Sequence, residues 1–224
     1  MGKLNRALVV IFVAIAMGAG GCAGFRDGSP SKIVVADSNA PAMEDGSSAS
    51  PPPGFVGFCM HNLAACTNRA AGPTEVALDD KVKGTLLRVN SQVNDAITYE
   101  PDMEQFGVAN KWQLDATGGY GDCKAYAVAK RQALLAAGLP DGALRIAIVR
   151  TPQDELHAVL TVDTNVGNLV LDSLTPEIRP WSQTGYVWLL RQSSEDPLRW
   201  VTLAETEHSQ PEPGRDLVGE ILAH

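Results

Sequence analysis

Apolar positions recur at helical spacing in two stretches of the chain and at alternating spacing in several shorter ones. Between Asp79 and Glu100, Val82, Leu86, Val89, Val93 and Ile97 fall on one face, which predicts a helix that Pro101 stops. A second helix is predicted from Lys124 to Ala137, closed by Gly138 and Pro140. Cys123, Ala127 and Leu134 share one stripe of it with Tyr126, while Lys124 and Arg131 fall on the opposite face, predicted to be solvated. From Leu144 to Val149 the pattern changes to the alternation of a half-buried strand. Further strands are predicted at Ala158–Val162, Leu169–Leu171 and Tyr186–Arg191, with a short edge strand at Trp200–Leu203. The turn at Asn165–Asn168 and the one around Pro152 are tight, and tight turns favour antiparallel pairing. A loop with Pro176 and Pro180 separates the third strand from the fourth. Helices first and a strand meander second give an α+β fold, with the cysteine helix packed on an antiparallel sheet.

The ends read differently. Lys3 and Arg6 precede a short apolar run, Ala7 to Met17, and small residues follow up to Cys22, as in an export signal. Ala19-Gly20-Gly21-Cys22 also has the form of a lipobox, in which Cys22 would be lipidated and tether the protein to a membrane. Residues 1–22 are therefore expected to be a signal peptide. Residues 23–53, rich in Ser, Ala, Gly and Pro, are expected to be a disordered tether. The folded domain is expected over 54–204 and a flexible tail over 205–224, where Pro211 and Pro213 interrupt a polar stretch. A net charge of -8 and an isoelectric point near 5.0 exclude nucleic acid as a partner, because phosphate binding needs a basic surface.

An exported chain meets oxidising conditions, so its four cysteines matter. With Cys22 in the signal, Cys59, Cys66 and Cys123 remain. Cys59 and Cys66 are near enough to close a small disulfide loop, leaving Cys123 as a single thiol. Two alternatives stand beside it: a metal site using Cys59, His61 and Cys66, one ligand short of a closed zinc site, or two unpaired buried thiols.

Cys123 sits where chemistry is easiest to build. Gly118, Gly119 and Gly121 loosen the loop before it, and Asp122 is placed to cap the helix that the cysteine begins. Backbone N–H groups at a helix start favour thiolate over thiol. A cysteine nucleophile also needs an imidazole, and the imidazole a partner that fixes its ring. His157 opens the second predicted strand and Asp172 ends the third. A simple antiparallel register about the Asn165–Gly167 turn lays those two positions side by side.

Gly121-Asp122-Cys123-Lys124-Ala125-Tyr126-Ala127, the run His157 to Val162 and Val170-Leu171-Asp172-Ser173 resemble the bacterial transglutaminase-like cysteine peptidases. That family includes LapG-type periplasmic proteases, which clip large surface adhesins. The resemblance extends from Phe55 to about Trp200, taking in Asn90 and Asn94, Trp112 before the cysteine loop, and the later Trp181 and Tyr186. It implies a papain-like, transglutaminase-type core with Cys123 as nucleophile, His157 as general acid and base, and Asp172 as its orienter. The Cys123 backbone N–H would be one oxyanion donor. The implied activity is cleavage of a protein substrate in the cell envelope, with the protein periplasmic or envelope-anchored. A non-catalytic domain that binds an envelope protein through the same cleft is the alternative. Two departures stand out. Where the family commonly carries two acids after the cysteine, this chain has Lys124 and Ala125, so of the acidic cluster that binds calcium in LapG-type members only Asp122 matches. An ammonium removes a ligand and repels the ion, so no cofactor is expected and calcium binding is expected to be weak or absent. Ser173 stands where the family usually has Asn, beside Asp172.

Overall fold

The computed structural model describes residues 32–34, 42–67, 72–114, 116 and 119–203. The signal segment, Cys22, Gly118 and the polar tail lie outside the described residues. The chain forms strand β1 (Lys32–Ile33), β2 (Asp45–Ala49), helices α1 (Pro53–His61), α2 (Leu63–Cys66) and α3 (Asp80–Ala96), β3 (Thr98–Tyr99), α4 (Asp102–Phe106), β4 (Tyr120–Gly121) and α5 (Cys123–Ala136). Strands β5 (Leu144–Arg150), β6 (Leu156–Thr164), β7 (Gly167–Leu171), β8 (Glu177–Pro180), β9 (Val187–Gln192) and β10 (Trp200–Leu203) follow.

An eight-stranded sheet in the order β1-β8-β7-β6-β5-β9-β10-β2 is the frame, antiparallel except where β1 runs alongside β8. Strands β5, β6 and β7 form the expected meander; β8, which was not expected, continues it, and β9 crosses back to pair with β5. Strand β10 is not an edge, because β2 pairs outside it. One face of the sheet carries α5 and α3 over a core that includes Leu86, Leu134, Ile146, Leu160 and Leu171. The other face buries Ala147, Val149, Val159 and Val170 under Met43, Trp181 and Trp188. Leu144 to Val149 is therefore buried on both sides, where the alternation predicted a half-buried strand.

Three local expectations change for identifiable reasons. The tether was expected to run to Pro53, yet Met43 is buried and Asp45–Ala49 is a strand. Asp45 is drawn in by two buried arginines, Arg145 and Arg191, each with an Nη2 to carboxylate distance of 2.6 Å. Strand β8 lies in the predicted proline loop. Pro180 ends it, where a missing N–H does least harm to the ladder. Helix α3 stops at Ala96, short of Pro101, and Thr98–Tyr99 instead pairs in parallel with Tyr120–Gly121. That small pairing anchors the chain immediately before Cys123.

The cysteine helix follows its sequence closely. Asp122 is its N-cap, accepting a hydrogen bond from the Lys124 N–H at 3.0 Å, and Gly138 takes the left-handed conformation after its end, with φ of +89°. Gly121 is required by packing, since a Cβ there would lie 2.5 Å from the Ala125 Cβ. Tyr126 ties the helix to the end of α3 by donating to the Ile97 carbonyl at 2.7 Å.

Candidate active site

Cys123 is the first residue of α5 and the free cysteine of the described chain; it is buried, 6% exposed. Cys59 and Cys66 are joined in a disulfide, and His61 is engaged at Nδ1 with the Gly57 carbonyl at 2.8 Å, so the three do not form the alternative metal site.

His157 is the second residue of β6, at the strand end that the N-terminus of α5 reaches. Its Nε2 lies 2.7 Å from Asp172 Oδ1. The Cys123 thiol is hydrogen-bonded to the imidazole, and Nδ1 is the ring nitrogen that Asp172 leaves for it. The juxtaposition follows from register. Leu160 pairs with Leu171 and Thr164 with Gly167, so Asp172 leaves β7 beside the start of β6. Asp172 is itself held from several sides: Tyr186 donates its hydroxyl to Oδ2 at 2.5 Å, the Leu174 N–H donates to Oδ1 at 3.0 Å, and Asn94 Nδ2 donates to its carbonyl at 3.0 Å. Sequence reading placed Tyr186 among the family aromatics without a task; its ring also stands edge-on to His157, centroids 6.0 Å apart.

The electrostatics of the pair follow from these contacts. Burial works against a charged imidazole, but the Asp172 carboxylate, with Cys123 adding, overrides it and pushes His157 up to about 10. Burial likewise works against a charged Asp172, yet His157, Tyr186 and the Leu174 N–H hold the carboxyl well below the usual range. At neutral pH the pair is imidazolium and carboxylate.

Arg131, predicted to be solvated, is buried, and Lys124, predicted likewise, is half-buried. The Lys124 Nζ is 2.9 Å from Asp102 Oδ2 and also bonds Asp122, with 11% of the side chain exposed. Burial would discharge it, but Cys123 and the two carboxylates hold its ammonium above the ordinary lysine range. Burial and the charge at Cys123 raise Asp122 to about 7 against the pull of Lys124. Asp102 and Asp122 are thus already joined by a tethered cation. Arg131 donates to the Leu144 and Ala65 carbonyls and pairs with Asp141, which fastens α5 to the turn before β5 and to α2.

A cleft of about 70 Å³ opens on this arrangement. Cys123 and His157 meet Trp112, Ile148, Leu156 and Ala158 there, so its walls are mostly apolar. The Trp112 ring is clamped edge-on to Phe55 at 5.1 Å, and its indole N–H is buried with no partner among the described residues. No sequence signal marked that N–H, because its orientation depends on Phe55, more than fifty residues away. A larger cavity of about 290 Å³ lies elsewhere, beside Arg131 and Gly142, and contains none of these residues.

A buried cysteine at a helix start, bonded to a carboxylate-held imidazole under an apolar cleft, is the arrangement of a cysteine peptidase. The family model of bacterial transglutaminase-like cysteine proteinases matches residues 45–208, and the chain belongs to that family. Among solved structures, calcium-bound LapG of Legionella pneumophila is 27% identical, with 58% of this chain and 75% of that one covered and a TM-score of 0.47. The EGTA-treated form of the same protein is 29% identical, covering 56% and 68%, with a TM-score of 0.46. Among curated proteins none matches. No helix of the described residues is long and apolar enough to cross a membrane.

Proposed function

We propose that this peptidase cuts a peptide bond in another protein of the cell envelope, with Cys123 as nucleophile, His157 as general acid and base, and Asp172 as the group that orients the imidazole. The observation that carries the reading is the 2.7 Å contact between His157 and Asp172 on an imidazole that also hydrogen-bonds Cys123. The Cys123 sulfur attacks the scissile carbonyl, and the bond to the leaving amine breaks as His157 donates its proton to that nitrogen. The thioester is then hydrolysed by a water that gives a proton to His157, returning the thiolate–imidazolium pair and releasing the new carboxylic acid, which ionises in solution. The Cys123 backbone N–H, at the first position of α5, and the indole N–H of Trp112, without a partner among the described residues and on the wall of the same cleft, supply the oxyanion donors.

The envelope address rests on the export-type N-terminus, with Cys22 available for lipidation, and on the Cys59–Cys66 disulfide, which suits an oxidising compartment. The site works without calcium, since Lys124 occupies the carboxylates that would receive it. Tight, stoichiometric calcium uptake by the wild-type protein in a calorimetric titration would refute that part.

The first experiment needs no substrate. The rate of iodoacetamide alkylation of Cys123 is measured against pH in the wild type and in His157→Ala. A thiolate–imidazolium pair keeps the rate high below neutral pH, and the plateau vanishes in the variant. An ordinary thiol titration in the wild type defeats the mechanism and favours the binding-domain alternative, to which the departure at Lys124 and Ala125 points.

A further inference from the structure

Cys123 and Trp112 line one cleft but arrive on different segments, Cys123 after β4 and Trp112 on the stretch that leaves α4. Where the indole stands relative to the nucleophile is therefore set by the contacts that join those two segments. They run through α4 and through the residue that follows the cysteine.

Asp102 opens α4 and is buried, 4% exposed. Its Oδ2 accepts the N–H of Lys111, the residue before Trp112, at 2.6 Å. The same oxygen holds the ammonium of Lys124, the residue after Cys123, at 2.9 Å. That ammonium goes on to the carboxylate of Asp122, which caps α5 by accepting the Lys124 N–H at 3.0 Å. A second tie runs beside the first. Gln113 Nε2, just past Trp112, donates to Gln105 Oε1 at 3.2 Å, and Gln105 Nε2 donates to the Tyr120 carbonyl of β4 at 3.3 Å. The two ties differ in kind. The glutamine bonds are neutral and long, whereas Lys124 is a cation between two carboxylates and largely shielded from water, which makes the stronger bond.

We propose that Lys124 is a positioning residue, its ammonium clamped between Asp102 and Asp122 so that the Trp112 indole stays aligned with the Cys123 backbone N–H. Both donors then reach the oxyanion of the tetrahedral intermediate together. The inference rests on the peptidase reading above and on the part given there to Trp112. Lys124 itself stays on the wall of the cleft and acts through the segment it holds. Without the ammonium, Asp102 and Asp122 repel each other, and the stretch at 111–113 is left to the glutamine tie alone.

The test compares two reactions of Cys123 in the full chain at one pH, with the rates in Cys123→Ala subtracted. Iodoacetamide is attacked at its methylene carbon, where the sulfur–carbon bond forms as iodide leaves and no oxyanion arises. p-Nitrophenyl acetate is attacked at its carbonyl, passes through an oxyanion and releases p-nitrophenolate as the acetyl thioester forms. Both rates scale with the amount of thiolate, so their ratio reports the oxyanion donors and not the charge on the sulfur. In Lys124→Met the ratio of acylation to alkylation should fall about tenfold, less than for a deleted donor because the indole is displaced and not removed. In a Trp112→Phe background the same substitution should leave the ratio where that background sets it, since the donor to be aligned is already gone. An unchanged ratio in Lys124→Met overturns the proposal, and so does a fall as large in the Trp112→Phe background as in the wild-type one. If Lys124→Met does not fold, Asp102→Asn takes its place, weakening the same tie from α4 and judged by the same outcomes. A wild type without the low-pH alkylation plateau defeats the peptidase reading itself, whereas a plateau with an unmoved ratio defeats this inference alone.

Discussion

Strand β6 has an ionised cluster at each end, and the two differ in kind. At its far end Asp163 lies 3.3 Å from an Nη1 of both Arg145 and Arg191, and both arginines reach on to Asp45. Two cations meet two anions there, and the result is a clamp that holds β2 on the sheet. At the near end His157 bonds Asp172 on one side and Cys123 on the other, with an apolar cleft in front. Buried ion pairs alone therefore do not mark a reactive site. What separates the two ends is a nucleophile within hydrogen-bond reach of the pair and a route for substrate to arrive.

The sharpest way to break that comparison is to remove the nucleophile or its base. Cys123→Ala or His157→Ala should lower peptide cleavage by about 10⁴-fold or more, with the circular dichroism spectrum unchanged. Residual activity near the wild-type level in either variant would place the chemistry elsewhere. Next in size is Trp112→Phe, which keeps the ring against Phe55 and deletes only the indole N–H. A lost oxyanion donor lowers kcat by about 10² to 10³, with KM little changed. A change confined to KM would make Trp112 a wall of the cleft and nothing more.

The far end should respond in stability and not in chemistry. Arg191→Met leaves Asp45 and Asp163 with Arg145 alone in a partly exposed cluster, which should destabilise the fold by about 2 kcal/mol in a denaturant titration. Alkylation of Cys123 in the folded protein should keep its wild-type pH profile. A profile that moved with Arg191 would mean that the two ends of β6 are electrically coupled.

How far the sequence could be read tracks how local each cause is. The limits of α5 were legible because Asp122 and Gly138 act within a few residues of themselves. The meeting of His157 and Asp172 was legible because a short turn at 165–167 sets the register of β6 on β7. Strand β2 was not. Asp45-Gly46-Ser47-Ser48-Ala49 has no apolar alternation, and what makes it a strand is Arg145 and Arg191, about a hundred residues and more away. The same holds for Lys124 and Arg131. Their charge suggested solvent, but Asp102 and Asp141 make burial tolerable, and helical spacing carries no sign of either partner. Strand β9 was found as a strand but not as the neighbour of β5, since periodicity gives an element and not the place where it docks.

The smallest effect separates orientation from charge within the near end itself. Tyr186 donates to Asp172 Oδ2 at 2.5 Å, opposite the oxygen that His157 uses. Tyr186→Phe keeps the ring edge-on to His157 and removes one of the donors that hold Asp172 low. A carboxyl lowered in the folded state gives stability that is complete above its ordinary range and is lost as pH falls through the lowered value. With one donor gone, the folded value rises and the stability it gives shrinks, so the loss is complete at a higher pH and the acid unfolding midpoint should rise. Activity at neutral pH should fall only about tenfold, the worth of one hydrogen bond to a charged group, because His157 still holds Asp172 ionised. If the acid midpoint moves and the neutral activity does not, Tyr186 serves the fold. If activity falls and the midpoint stays, its hydroxyl aims the carboxylate at His157 without setting its charge.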